Sequence, residues 1–150
     1  MVQAIADELT RTVDEAARRL RAVDESAAAA KPRPEAWSVK EIVGHLVDSA
    51  ANNLQRFVRA QQVAELTLPG YDQDAWVRAQ DYQGRPWCDL LEVWILSNHH
   101  LSHAIRRIPA SALAVPCRIG ADEPVTLRFL VEDYVVHVRH HLRQIDERLA

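Results

Sequence analysis

A chain of 150 residues, 48% hydrophobic and 26% charged, has the composition of one globular domain with a substantial core. Its net charge of −3 gives no basic footprint for nucleic acid, and no apolar run approaches the roughly 18 residues that would span a membrane. The start "MVQAIADELTR" lacks the basic-then-apolar order of a signal peptide, and Cys88 and Cys117 stand far apart with no CxxC, so a reduced cytoplasmic chain is expected.

The first helix is predicted over Val2 to Ala30. Ala, Leu, Arg and Glu dominate it, and Leu9, Val13, Ala16, Leu20 and Val23 recur at helical spacing. Pro32 and Pro34 stop it, because proline cannot continue a helix. Ser38 followed by Glu41 is a capping-box pattern, and it opens a second helix running to about Gln62. Val63 to Arg85, with Pro69, Gly70 and Gly84, is an irregular excursion with room for a short helix around Asp72 to Ala79. A connection this long is uncommon inside a compact domain unless it has a task, such as covering a site. The third helix begins near Pro86, a good first-turn residue, and ends at Pro109. In "LAVPCRIGADEPVTL" the residues Val115, Cys117 and Ile119 alternate and "GADE" can turn, which allows a small hairpin. Thr126 can cap the last helix, which runs to about Leu149. Four long helices and no convincing sheet give an all-α helical bundle in a single domain, 1–150.

The segment "YVVHVRHHLRQ" places His137, His140 and His141 within an apolar helix. Leu127, Leu130, Val131, Tyr134, Val138, Leu142, Ile145 and Leu149 form its stripe. At about 100° per residue, His141 falls inside that stripe, His137 at its edge and His140 away from it. The i, i+4 pair His137 and His141 stacks two imidazoles that can share one metal ion. The bland use, core-edge histidines satisfied by hydrogen bonds, is the commoner one, and spacing alone leaves both open. On the third helix, His99 and His103 lie outside the stripe Leu91, Trp94, Ile95, Leu101, Ile105 and Ile108, on a solvated face with Glu92 and Arg106. Asn98 sits in mid-stripe, where a buried amide needs partners and can face a polar pocket. On the second helix the stripe is Val39, Val43, Leu46, Ala50, Leu54, Phe57 and Val58. His45 points almost opposite, with Asp48, Asn52, Arg56 and Arg59, so periodicity alone puts it on the surface.

"WSVKEIVGHLVDSAANNLQRF", followed about 90 residues later by "VTLRFLVEDYVVHVRHHLRQI", resembles the DinB/YfiT-like superfamily of metal-dependent enzymes. The resemblance rests on Trp37-Ser38 before a capped helix, His45-Leu46 with Asp48, and the terminal His-x-x-x-His. It implies a four-helix bundle with long crossover connections and a homodimer. It also implies a divalent metal held by His45, His137 and His141, so that the polar face of the second helix lines a cleft. Zinc or nickel suits such a site, with iron or manganese as alternatives. Asp48, one turn from His45, could orient a ligand or accept a proton, although a solvated helix carboxylate is an equal reading. Asn52 and Arg56 continue that face toward an anionic substrate, with plain solvation as the alternative for Arg56.

Relatives of this kind imply transfer of a low-molecular-weight thiol, such as bacillithiol or mycothiol, to an electrophilic small molecule. Others are named hydrolases. The chain has no GxSxG elbow and no cysteine beside the expected ligands, which favours an activated thiol or water over a protein nucleophile. The other class of function is a non-catalytic metal- or ligand-binding bundle. An open coordination position beside a roofed cleft marks the enzyme, and a site closed by a fourth protein ligand marks the binding module.

Overall fold

Helix α1 (Val2–Leu20) opens the computed structural model, which describes residues 2–150. It buries Val2, Ala6, Leu9, Val13, Ala16, Ala17 and Leu20 along one face. The helix stops ten residues earlier than its composition suggests. Asp24 accepts a hydrogen bond from Ala27 N at 2.8 Å and starts a separate five-residue helix, α2 (Glu25–Ala29). The break has tertiary partners: Glu25 accepts from the buried Lys40 ammonium and from Trp87 N. High helix propensity loses to a local cap and two distant donors.

Helix α3 (Val39–Ala60) carries the expected capping box at Ser38 and Glu41 and ends just short of Gln62. Strand β1 (Leu66–Leu68), helix α4 (Gln73–Gln80, capped by Asp72) and a 3-10 turn over Tyr82–Gly84 then occupy the excursion. Helix α5 (Trp87–Arg106) ends before Pro109 and buries its predicted stripe as far as Ile105, with Ile108 buried just past its end. Strands β2 (Pro116–Ile119) and β3 (Val125–Thr126) form the small hairpin, with Cys117 opposite Val125. Gly120, at φ 61, serves the turn after β2 because only glycine adopts that backbone cheaply. The sequence pattern did not anticipate that β1 joins β2 in parallel, Leu66 opposite Cys117, giving a three-stranded sheet. Helix α6 (Leu127–Leu149) follows its Thr126 cap.

The four long helices form a bundle in the ring order α1, α5, α3, α6. Chain neighbours α1 and α3 therefore lie across a diagonal, as do α5 and α6, and each pair needs a long crossover. Trp94, Tyr134 and Phe57 are essentially fully buried at the centre, each worth about 1.5–3 kcal/mol of apolar transfer. Two predicted core residues are not in it: Val58 is 41% exposed and Leu149 is 36% exposed. Both lie near helix ends, where the neighbouring helices no longer cover the stripe. Both cysteines are free, Cys88 exposed and Cys117 buried. Among the described residues, no helix is long and apolar enough to cross a membrane.

Candidate metal centre

Helix α3 has a second stripe besides its apolar one. His45, Asp48, Ser49, Asn52, Asn53 and Arg56 follow one another at helical spacing. Periodicity assigns that face to water, but the fold covers it. Helix α6 packs along one side, and the chain between β1 and α5 crosses the other. His45 is 1% exposed and Asp48 is 2% exposed as a result.

The three imidazoles meet where α3 faces α6. His137 Nε2 lies 3.2 Å from His45 Nε2 and 3.2 Å from His141 Nε2. The ligand atoms of all three histidines fall within 4.8 Å of one another. His141 Nδ1 is 2.8 Å from Gln144 Oε1, an acceptor, so Nδ1 carries the proton and Nε2 presents a bare lone pair. Ser49 Oγ stands 3.4 Å from His137 Nδ1, and as a hydroxyl it can meet either tautomer of that ring. The Trp37 ring lies against His45, with centroids 5.2 Å apart.

Burial keeps these groups neutral. It pushes His45 down to about 3, helped by His141 and His137, and His137 down to about 4, helped by His141, His140 and Arg56. His141 is also lowered by burial, with Gln144 pulling the other way. Neutral imidazoles with convergent lone pairs repel unless a cation sits among them. Zn–N bonds of about 2.0–2.1 Å in a tetrahedron put neighbouring nitrogens about 3.3–3.4 Å apart, close to the separations seen here. The donor set therefore fits a divalent metal ion. Among the described residues, no fourth His, Cys, Asp or Glu joins the group, so a tetrahedral ion would keep an open position.

The other expected site residues take different places. Asp48 lies outside the convergent set. Its Oδ1 accepts from the Tyr82 hydroxyl at 2.6 Å and from Gln80 Nε2 at 2.7 Å, while Oδ2 is buried with no partner among the described residues. Burial raises its pKa, with the two hydrogen bonds opposing the rise. Asn52, half-buried, donates to the Asp48 carbonyl at 2.9 Å. Arg56, also half-buried, lines a cavity of about 120 Å³ together with Ser49, Asn53, Tyr71, Tyr134 and His137. Asn98 is buried on α5, donating to the Trp94 carbonyl at 2.8 Å and accepting from the Tyr134 hydroxyl at 2.5 Å. It holds Tyr134 in place rather than lining that cavity itself.

His99 pairs with Asp14 at the surface, and His103 and His140 are exposed, as their positions predict. The excursion supplies groups that sequence reasoning did not single out. Tyr71 lines the cavity, Gln80 and Tyr82 hold Asp48, and Gln73 and Asp74 border a wider opening of about 320 Å³ beside His141. Ser49 and Asn53 were missed too, although their register with His45 was a signal that could have found them. Tyr82 reaches Asp48 by crossing α3 at Gly44, where an added side chain would collide with its ring.

Fold and site together define a four-helix bundle carrying a three-histidine cluster whose geometry fits a metal ion. The chain belongs to the DinB superfamily, whose family model matches residues 8–145. Among solved structures it is similar to YfiT from Bacillus subtilis, described as a probable metal-dependent hydrolase with an unusual four-helix bundle topology. The TM-score is 0.81 at 21% identity, covering 98% of this chain and 83% of that one. At that identity the likeness speaks for the fold alone. A comparison with curated proteins finds no match.

Proposed function

We propose that this chain is a metal-dependent enzyme that transfers a low-molecular-weight thiol to an electrophilic small molecule. The observation that carries the reading is the convergence of three neutral imidazole nitrogens, with no fourth His, Cys, Asp or Glu donor among the described residues, beside a polar cavity. His45, His137 and His141 would hold a zinc or nickel ion, or iron or manganese. Bound there, a divalent ion supplies Lewis acidity and lowers the pKa of a thiol or water that reaches it.

The chain's own groups have separate roles. Gln144 sets the tautomer and orientation of His141, and Ser49 holds the His137 ring in place. We propose Asp48 as the group that accepts the thiol proton, supported by an Oδ2 with no partner among the described residues and a pKa raised by burial. The sulfur then forms its bond to the electrophilic carbon, and the leaving group departs with the electron pair. Arg56 and Asn52 position polar parts of the reactants, and Asn98 acts at one remove through Tyr134. We also propose a homodimer, for which the support is the 62% exposure of Leu96 on α5. A monomer by light scattering at micromolar concentration would refute that.

Hydrolysis at the same centre is the second reading, favoured by the description of YfiT. One experiment separates the alternatives. Protein purified without a nickel column is analysed for metal, then mixed with a chloro-aromatic electrophile or an ester, with and without added thiols, and with metal-free protein as control. Metal-dependent chloride release that requires thiol supports transfer, and thiol-independent ester cleavage supports hydrolysis. A full complement of metal with no turnover in either arm rejects both in favour of a binding module.

A further inference from the structure

Arg56 is a half-buried cation with no carboxylate paired to it among the described residues. The exposed arginines Arg19, Arg21, Arg128 and Arg139, and the half-buried Arg106, each pair with a carboxylate. Arg56, half-buried, makes no ion pair among the described residues. Its one protein hydrogen bond, from Nη1 to Asn53 Oδ1, is long at 3.5 Å. A guanidinium carries five N–H donors, and a desolvated charge is costly until something of opposite sign meets it. The groups around it do not do so. Ser49, Asn53 and Tyr71 are neutral, and Asp133, which also borders the cavity, is exposed and forms no salt bridge with Arg56.

The cavity beside Arg56 is small, about 120 Å³, and His137 forms part of its wall. We propose that this cavity is the subsite for a carboxylate carried by the substrate or thiol cosubstrate, held by Arg56 with the Tyr71 and Ser49 hydroxyls. This rests on the metal-centre reading above and adds the substrate class. A carboxylate suits the site because a single guanidinium matches its charge and its two oxygens in a fork-to-fork pair. The volume admits the carboxylate and a few carbons. The rest of the ligand would extend toward the imidazoles, which makes reach from carboxylate to reacting atom a determinant of specificity.

Calorimetric titration with succinate and with its neutral counterpart succinamide tests this. Wild-type protein, zinc-loaded and metal-free, should bind succinate at least tenfold more tightly than succinamide. Arg56→Met should lose that preference while retaining wild-type zinc content, and Arg56→Lys should keep part of it. Succinate binding that survives unchanged in Arg56→Met, or that occurs only with zinc present, overturns the subsite, because the carboxylate would then be meeting the ion. A wild-type protein that takes up none of zinc, nickel, iron or manganese yet shows the Arg56-dependent preference supports the subsite and refutes the metal reading.

Discussion

Gly44→Ala adds one methyl group at the point where the Tyr82 ring crosses α3. Its Cβ would stand 2.1 Å from Tyr82 Cδ2 and 2.3 Å from Cγ, against the roughly 3.5–4.0 Å of an ordinary carbon contact. The ring must move by more than an ångström. Tyr82 is 4% exposed and its hydroxyl donates to Asp48 at 2.6 Å, so displacement sacrifices that bond. Overpacking costs about 1–3 kcal/mol, and loss of a hydrogen bond to a charged buried group about 1.5–3 kcal/mol. Replacing a helix-interior glycine recovers about 1 kcal/mol. The net destabilisation is then about 1.5–5 kcal/mol, read from urea denaturation. The same substitution made in a Tyr82→Ala background meets no ring and should be neutral or stabilising by up to about 1 kcal/mol. Equal losses in the two backgrounds, or a Gly44→Ala protein as stable as wild type, would refute the close-approach argument.

Elemental analysis should find metal abolished in His137→Ala and His141→Ala, severely reduced in His45→Ala, and unchanged in His99→Ala, His103→Ala and His140→Ala. Equal content across all six would sink the three-histidine assignment. Gln144→Leu removes the acceptor that orients His141 and should weaken metal binding about 10–100-fold; affinity equal to wild type in a competitive chelator titration would contradict that role. In metal-free protein, burial holds His45 at about 3 and His137 at about 4, against an ordinary value of 6.5. Above 6.5 both are neutral in folded and unfolded chains alike. Below it the unfolded chain binds protons first, so stability should fall from 6.5 toward 4 and continue falling toward 3. Denaturant midpoints should show that decline, and it should be shallower in His45→Ala; a midpoint flat across this range would contradict buried neutral imidazoles.

Local chemistry made much of the bundle legible from residues alone. Ser38 with Glu41 marks the start of α3, Thr126 marks that of α6, and the α5 stripe is buried as its spacing predicts. Such signals act within a turn or two of the chain, and sequence order preserves them. The i, i+4 pair His137 and His141 was visible for the same reason. His45 was different. Periodicity put it on the surface, and resemblance to a family placed it in the site. Periodicity reports one apolar face, whereas α3 is covered on two, its polar face lying under residues that follow it by some 30 positions. The break at Leu20, the β1–β2 pairing and the cavity between Arg56 and Tyr71 have the same origin. Each needs groups distant in sequence, Lys40 and Trp87 beside the local Asp24 cap for α2, Cys117 for β1 and His137 for the cavity. Only the packed fold brings these groups within reach, because hydrogen bonds and burial act over a few ångströms in space, whatever the separation along the chain.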